Sequence, residues 1–426
     1  MVSTAFAALT GIALLAVVGL TILAFNLGTV FPQMPRMLLG DATLALGISG
    51  TVLLLGLPFG ALWGAFLGYQ RNDLVALSQA GARTLAAAGL IAAAALGGEL
   101  VTLALAFAAA HLIGYMVTSI THVRHEFAVL RRSLVARASL RDLWSYSQTM
   151  LVWLICLFLI NGVDTALVGK FEFQVVGLYG ACAGATLTVA GIQQAIFGPL
   201  LQVAASHAGA GSPQLLPGLL SRTTRISTLV MLCLVMPVLV FAAPMLGAWL
   251  GPAQAHGGET VLRIMLTGHF LRLIWTPYSL VLLGTLKHRE VMLMPIVEAI
   301  VNVVVAVAAG RVYGAVGVSM GVLVGALAGN MVTVLVSMRR TTELAPNRWI
   351  LIRHGILRPA ACFLPAIAAA VVASTSADEV GLKVGLGALL ASAVVAWRWG
   401  LSGEERDYVR RLLGAAATRV GGQGQG

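Results

Sequence analysis

An all-α, polytopic membrane protein of about twelve transmembrane helices, arranged in two pseudo-symmetric lobes with the N-terminal one shortened, is what the sequence predicts. Three observations carry this expectation. Soluble domains carry about 25% charged residues, whereas this chain of 426 residues carries 10% beside 59% hydrophobic residues. The apolar residues are gathered into runs of roughly 20, the length that crosses a bilayer. The Lys and Arg residues fall in the gaps between those runs, mostly in alternate gaps.

In chain order the predicted spans are 5–31, 44–67, 80–98, 100–121, 146–168, 177–201, 226–250, 261–284, 291–310, 314–338, 359–375 and 382–399. The first is longer than a signal-peptide core and has no basic leader, so it reads as a retained span. The third and fourth abut at Gly97, Gly98 and Glu99 and demand a tight turn. With a cytoplasmic N-terminus, one side collects most of the 27 Lys and Arg residues, among them Arg71, Arg124, Arg131, Arg222, Arg289, Arg339, Arg353 and Arg406. The other side holds only Arg36, Lys170 and Arg311, with Lys383 at a border, so both termini are expected in the cytoplasm of a cell inner membrane protein.

The expected division is an N-terminal lobe at 1–121, a basic cytoplasmic linker at 122–144, a C-terminal lobe of six spans at 145–340, and two extra spans with a tail at 341–426. The linker mixes arginines with Phe127, Leu130, Leu134, Leu140 and Leu143, as a helix lying on the inner membrane surface would. A weak internal repeat also shows. Pro58 precedes Gln70 and Arg71 as Pro277 precedes His288 and Arg289, and Gly114-Tyr-Met-Val-Thr118 has a counterpart in Gly329-Asn-Met-Val-Thr333. Equal membrane orientation at both places points to parallel repeats.

Several function classes are excluded or disfavoured. The net charge of +11 is not gathered into a basic stripe, so nucleic acid is not an expected partner. The four cysteines all lie inside apolar runs, which offers neither a disulfide framework nor a zinc spacing. Gly169 and Lys170 are followed by Phe171, so there is no phosphate loop, and no HExxH or GxSxG pattern occurs. No cofactor or metal is expected, and the short outer loops leave little room for catalytic residues; the chain reads as a non-enzyme.

Charged groups inside a bilayer cost on the order of 3 kcal/mol each and need a partner or a wet cavity. Arg272, near the middle of the predicted eighth span, is the first candidate: its guanidinium either faces a cavity and holds a phosphate or pairs with Glu298. His269 lies on nearly the same face. Arg263, nine residues earlier and so on the opposite face, is expected to snorkel or to pair with Asp164. Asp164, with Asn161 one turn deeper, reads as an outer gate, a cation ligand or a partner of Lys170. Glu298 and Asn302 share a face, Gln193 and Gln194 read as interhelical glue, and Arg83 and Arg225 stand at predicted inner span ends where an anionic head group would meet them.

The run Asp164-Thr-Ala-Leu-Val-Gly169 followed by Val176-Gly-Leu-Tyr179 and Ala181, the proline at 199, the hairpin through Lys287 to Glu290, and Tyr313-Gly-Ala-Val-Gly317 resemble polysaccharide-type flippases of the multidrug, oligosaccharidyl-lipid and polysaccharide exporter superfamily. The resemblance covers about residues 44–400. It implies two lobes around a cationic cavity that alternates between membrane sides, and movement of a prenyl pyrophosphate-linked oligosaccharide to the outer leaflet for surface polysaccharide or O-antigen. It further implies membrane lipid, a coupling cation, and glycosyltransferase and polymerase partners. Only four spans precede the linker, so the chain looks shortened by one N-terminal hairpin. The rival readings are a cation-coupled multidrug exporter and a non-transporting scaffold of a polysaccharide synthesis complex.

Overall fold

Backbone amides cannot be left unpaired in lipid, so apolar runs of this length cross it as helices. Every regular element among the described residues is helical. A computed structural model describes residues 2–69, 71–124, 151–345, 347–373, 379–401, 403 and 405–407. The expected surface helix of the linker falls mostly on 125–144, outside the described residues. Two compact units emerge, Met1–Leu151 and Val152–Gly426.

The first unit contains α1 (Val2–Phe25), α2 (Arg36–Leu55), α3 (Phe59–Gly68), α4 (Asn72–Ala95) and α5 (Leu100–Arg124). The turn expected at Gly97 and Gly98 is present: Gly97 has φ +75°, and the Gly98 N–H donates to the Ala93 carbonyl at 2.8 Å. Between α2 and α3 the helix breaks at Gly56, Leu57 and Pro58, where proline supplies no N–H. The Tyr115 hydroxyl crosses from α5 and donates to the Val52 carbonyl at 3.2 Å, and its ring stacks on Phe59 at 4.6 Å. A side chain at Gly56 would collide with that hydroxyl.

The second unit contains α6 (Leu151–Phe171), α7 (Val176–Phe197), α8 (Leu200–Gly209), α9 (Leu216–Val240), α10 (Ala242–Leu250), α11 (Pro252–Leu273), α12 (Thr276–Gly284) and α13 (His288–Val332). It then continues through α14 (Arg348–Cys362), α15 (Leu364–Ala373) and α16 (Glu379–Val395). Its core gathers around α9, whose Leu220, Met231, Leu232 and Val235 are fully enclosed. The repeat seen in the sequence has a physical counterpart. Asn330, which follows Gly329 as Tyr115 follows Gly114, donates to the Leu271 carbonyl at 3.0 Å. Leu271 precedes Pro277 by the same interval that separates Val52 from Pro58, so each unit ties its broken helix with one equivalent bond.

α13 is a hairpin of two helical arms. Gly314 breaks it with φ 56° and ψ −134°, a conformation open to glycine and strained for other residues. The two arms then run back along each other, with Gly317, Gly321, Gly325 and Gly329 of the second facing Ala309, Asn302, Glu298 and Met294 of the first. The Glu172 carboxylate accepts the Ala315 N–H at 2.8 Å and closes the turn. Gly314→Ala, with Cβ aimed at that carboxylate, is expected to cost about 1–3 kcal/mol, read as a lower midpoint of thermal unfolding in detergent.

Eight helices among the described residues are long and apolar enough to cross a membrane, or nine when α14 and the start of α15, bent by 57°, count as one span. The sequence expected about twelve, and the difference lies in three places. The hairpin arms count as one element, α16 has 17 residues, and α11 carries Glu259, Arg263 and Arg272. The expected continuous eighth span is broken at Ile274 and Trp275, because Pro277 opens a new helix at its first turn. Arg272 therefore sits in the last turn of α11 rather than in mid-helix, where a cation is favoured by the helix dipole.

Candidate functional site

The polar residues singled out in the second unit converge on that helix end. The Arg272 guanidinium donates to Glu298 Oε1 at 3.3 Å, to Asn161 Oδ1 at 3.1 Å and to His269 Nδ1 at 2.6 Å. A guanidinium only donates, so the His269 ring accepts on Nδ1 and carries its proton on Nε2. Arg272 is 12% exposed and Glu298 2%. Of the two readings the sequence left open for Arg272, the ion pair with Glu298 is the one formed here.

A second layer surrounds the pair. Asn302, one turn beyond Glu298, donates to Asp164 Oδ2 at 3.4 Å and to the Ile160 carbonyl at 3.3 Å. Asp164 is thus partnered by Asn302, and Arg263 is not its partner. Arg263 pairs with Glu259 at 3.4 Å and donates to the Leu239 carbonyl, as its opposite helix face requires. Among the described residues, four buried polar atoms around the cluster find no hydrogen-bond partner: Asp164 Oδ1, Tyr179 Oη, Glu298 Oε2 and Asn302 Oδ1. A cavity of about 10 Å³ touches Asn161, Asp164, Tyr179, Thr186 and His269, room for about one water or small ion. Among the described residues no group of three or more His, Cys, Asp or Glu side chains converges as a metal site.

The remaining predicted residues lie elsewhere. Arg225 is bonded to Glu405 at 2.5 Å, with Arg222 at 3.3 Å from the same carboxylate, so the two guanidiniums share one buried glutamate. Gln193 donates to Ser227 and to the Leu273 carbonyl, the interhelical role expected of it, while Gln194 is exposed. Arg83 is not at a helix end. α4 begins at Asn72, so Arg83 lies about 16.5 Å along it by the 1.5 Å rise per residue, beside a cavity of about 290 Å³ in the first unit. Trp63, Gln79 and His111 share that cavity and are not among the residues the sequence singles out: Trp63 and His111 each sit alone in an apolar run, and Gln79 lies in the polar stretch that opens α4.

No family model matches the sequence, and no curated protein matches it. Among solved structures the chain is similar to the lipid II flippase MurJ in an inward closed conformation, with TM-score 0.67 and 12% identity over 93% of this chain and 83% of that one. The chain shares its fold with that flippase. It is also similar to an inward-facing multidrug resistance MATE family transporter of the MOP superfamily, with TM-score 0.62 and 16% identity over 81% of this chain and 86% of that one. The expected architecture is thereby matched at the level of fold, and the chain is a multi-pass α-helical membrane protein that shares the fold of these two transporters.

Proposed function

We propose that this protein is a transporter, not an enzyme, and that it flips a lipid-linked oligosaccharide on a prenyl pyrophosphate across the cytoplasmic membrane for polysaccharide assembly. The observation that carries the reading is the flippase-like fold over 93% of the chain. Both termini face the cytoplasm, as the Lys and Arg bias requires. Membrane lipid surrounds the protein, and glycosyltransferases and a polymerase make and consume the substrate.

In this mechanism the Arg272 cluster is the gate and the coupling element. Glu298 pairs with the Arg272 guanidinium and Asp164 joins the cluster through Asn302, so two carboxylates stand beside one guanidinium in the cluster, one negative charge in excess when both are ionised. One proton or one monovalent cation balances it. Taking up that charge loosens Glu298 from Arg272, and the freed guanidinium, with His269 and Asn161 beside it, meets the pyrophosphate as it passes. Arg225 acts through its bond to Glu405 rather than as a free cation. The test is complementation: in a strain lacking its own flippase, wild type restores surface polysaccharide and Arg272→Ala, made at matched membrane levels, restores less than a tenth as much. Full restoration by Arg272→Ala removes the cluster from the mechanism.

A cation-coupled multidrug exporter is the second reading, favoured by the acidic excess of the same cluster and by the similarity to a MATE family transporter. It requires drug-specific growth protection, with no restoration of polysaccharide.

A further inference from the structure

The internal repeat exposes a difference between the units that the Arg272 cluster does not explain. Val52 and Leu271 accept equivalent bonds, so Leu53 holds in the first unit the position that Arg272 holds in the second. A Cβ at Gly329 would lie 3.3 Å from the Glu298 Cβ, and one at Gly114 would lie 2.7 Å from the Ala82 Cβ. Ala82 thus faces Gly114 as Glu298 faces Gly329. Where the second unit is filled by an ion pair, the first has a leucine and an alanine, and both line the cavity of about 290 Å³.

The walls of that cavity are fixed in place and chemically mixed. Tyr115 is held by its bond to Val52 and by stacking on Phe59. The Trp63 indole N–H donates to the Thr118 hydroxyl at 3.4 Å, which fixes its ring in the cavity wall. His111 Nδ1 is 2.9 Å from the Phe107 carbonyl, which only accepts; Nδ1 therefore carries the proton and Nε2 is left as an acceptor. Gln79 and Arg83 make no hydrogen bond or ion pair among the described residues. Arg83 is exposed beside the cavity, and with its neighbouring carboxylate position occupied by Ala82 its guanidinium is left to meet an anion or water from outside the protein. Ligand pockets for drug-sized molecules run from about 300 to 1,000 Å³, so this one suits a single ring and its charge rather than a whole oligosaccharide.

We propose that the cavity between α2, α3, α4 and α5 binds a glycosyl phosphate head, with the phosphate on Arg83 and the first sugar ring held by Trp63, Gln79 and His111 Nε2. The proposal rests on the lipid-linked reading above for its substrate and names the place where the head is recognised. Aromatic faces take the apolar side of the ring, while the amide and imidazole take its hydroxyls. The bidentate fork of an arginine suits the phosphate better than an ammonium does.

The experiment uses the full chain purified in detergent and three probes: farnesyl pyrophosphate carrying one hexose, farnesyl pyrophosphate alone, and hexose 1-phosphate. Wild type is expected to hold the glycosylated lipid at least ten times more tightly than either other probe. Arg83→Gln loses at least tenfold on it, and Arg83→Lys keeps more than Gln does, which separates charge from folding. Leu53→Arg combined with Ala82→Glu introduces the pair that the second unit already accommodates; it fills the cavity and abolishes the preference for the sugar. Wild-type affinity for the glycosylated lipid in both Arg83→Gln and the double variant overturns the cavity while leaving the flippase reading intact. Equal, Arg83-dependent binding of hexose 1-phosphate supports the cavity but counts against a lipid-linked substrate, and no binding of any probe by wild type removes both.

Discussion

Arg272→Met is expected to destabilise the protein by about 3–5 kcal/mol, the cost of leaving one member of a buried ion pair without the other. Glu298 is 2% exposed and its Oε2 already lacks a partner. Removing the guanidinium takes away its remaining bond and also strips Asn161 Oδ1 and His269 Nδ1 of their donor. Combining Arg272→Met with Glu298→Leu deletes both charges and is expected to recover most of the loss, because apolar replacements of a whole buried pair are often neutral. Thermal unfolding in detergent checks both; a single variant as stable as wild type would show that water or lipid already solvates the carboxylate. The double variant also separates structure from transport. If the pair is only interhelical glue, it restores polysaccharide; if the pair is the gate, it is folded and inactive.

Composition and the length of apolar runs made the fold class legible, and the pairing of Arg272 with Glu298 was one of two alternatives open in the sequence. What stayed hidden were the breaks. Pro277 is compatible both with a kinked span and with the first turn of a new helix, and only the structure shows α11 ending at Leu273. The depth of Arg83 is hidden for the reverse reason: Asn72, Asp73, Ser78 and Gln79 are polar enough to look like a loop, yet they form the first turns of α4. Glu405 as the partner of Arg225 was out of reach, since it is 180 residues away and binds through tertiary contact. The turn at Gly314 was visible beforehand because a glycine after Tyr313 opened a fresh apolar run.

Gly321→Leu is expected to prevent the α13 hairpin from closing and to remove nearly all folded protein from the membrane. Helices in lipid gain little from burying apolar side chains against each other, so close backbone approach at small residues holds them together. At Gly321 an added Cβ would lie 2.6 Å from Asn302 Oδ1, 2.7 Å from the Asn302 carbonyl oxygen and 2.8 Å from the Ala306 Cβ. The carbonyl belongs to helix backbone and cannot swing aside, so the arms must separate. Overpacking of a well-fitted interface costs about 1–3 kcal/mol per added group, and occasionally more. Separation would also move Asn302 away from Asp164 and Glu298 away from Arg272, coupling the seam to the candidate site. Gly387→Leu is the control, because nothing lies within 4 Å of a Cβ there. Detergent-extracted yield and the thermal unfolding midpoint report the outcome: Gly387→Leu stays near wild type, Gly321→Ala loses part of the signal and Gly321→Leu almost all of it. Equal yields for Gly321→Leu and Gly387→Leu would mean that the seam opens without cost, and the gate would then need another rigid support.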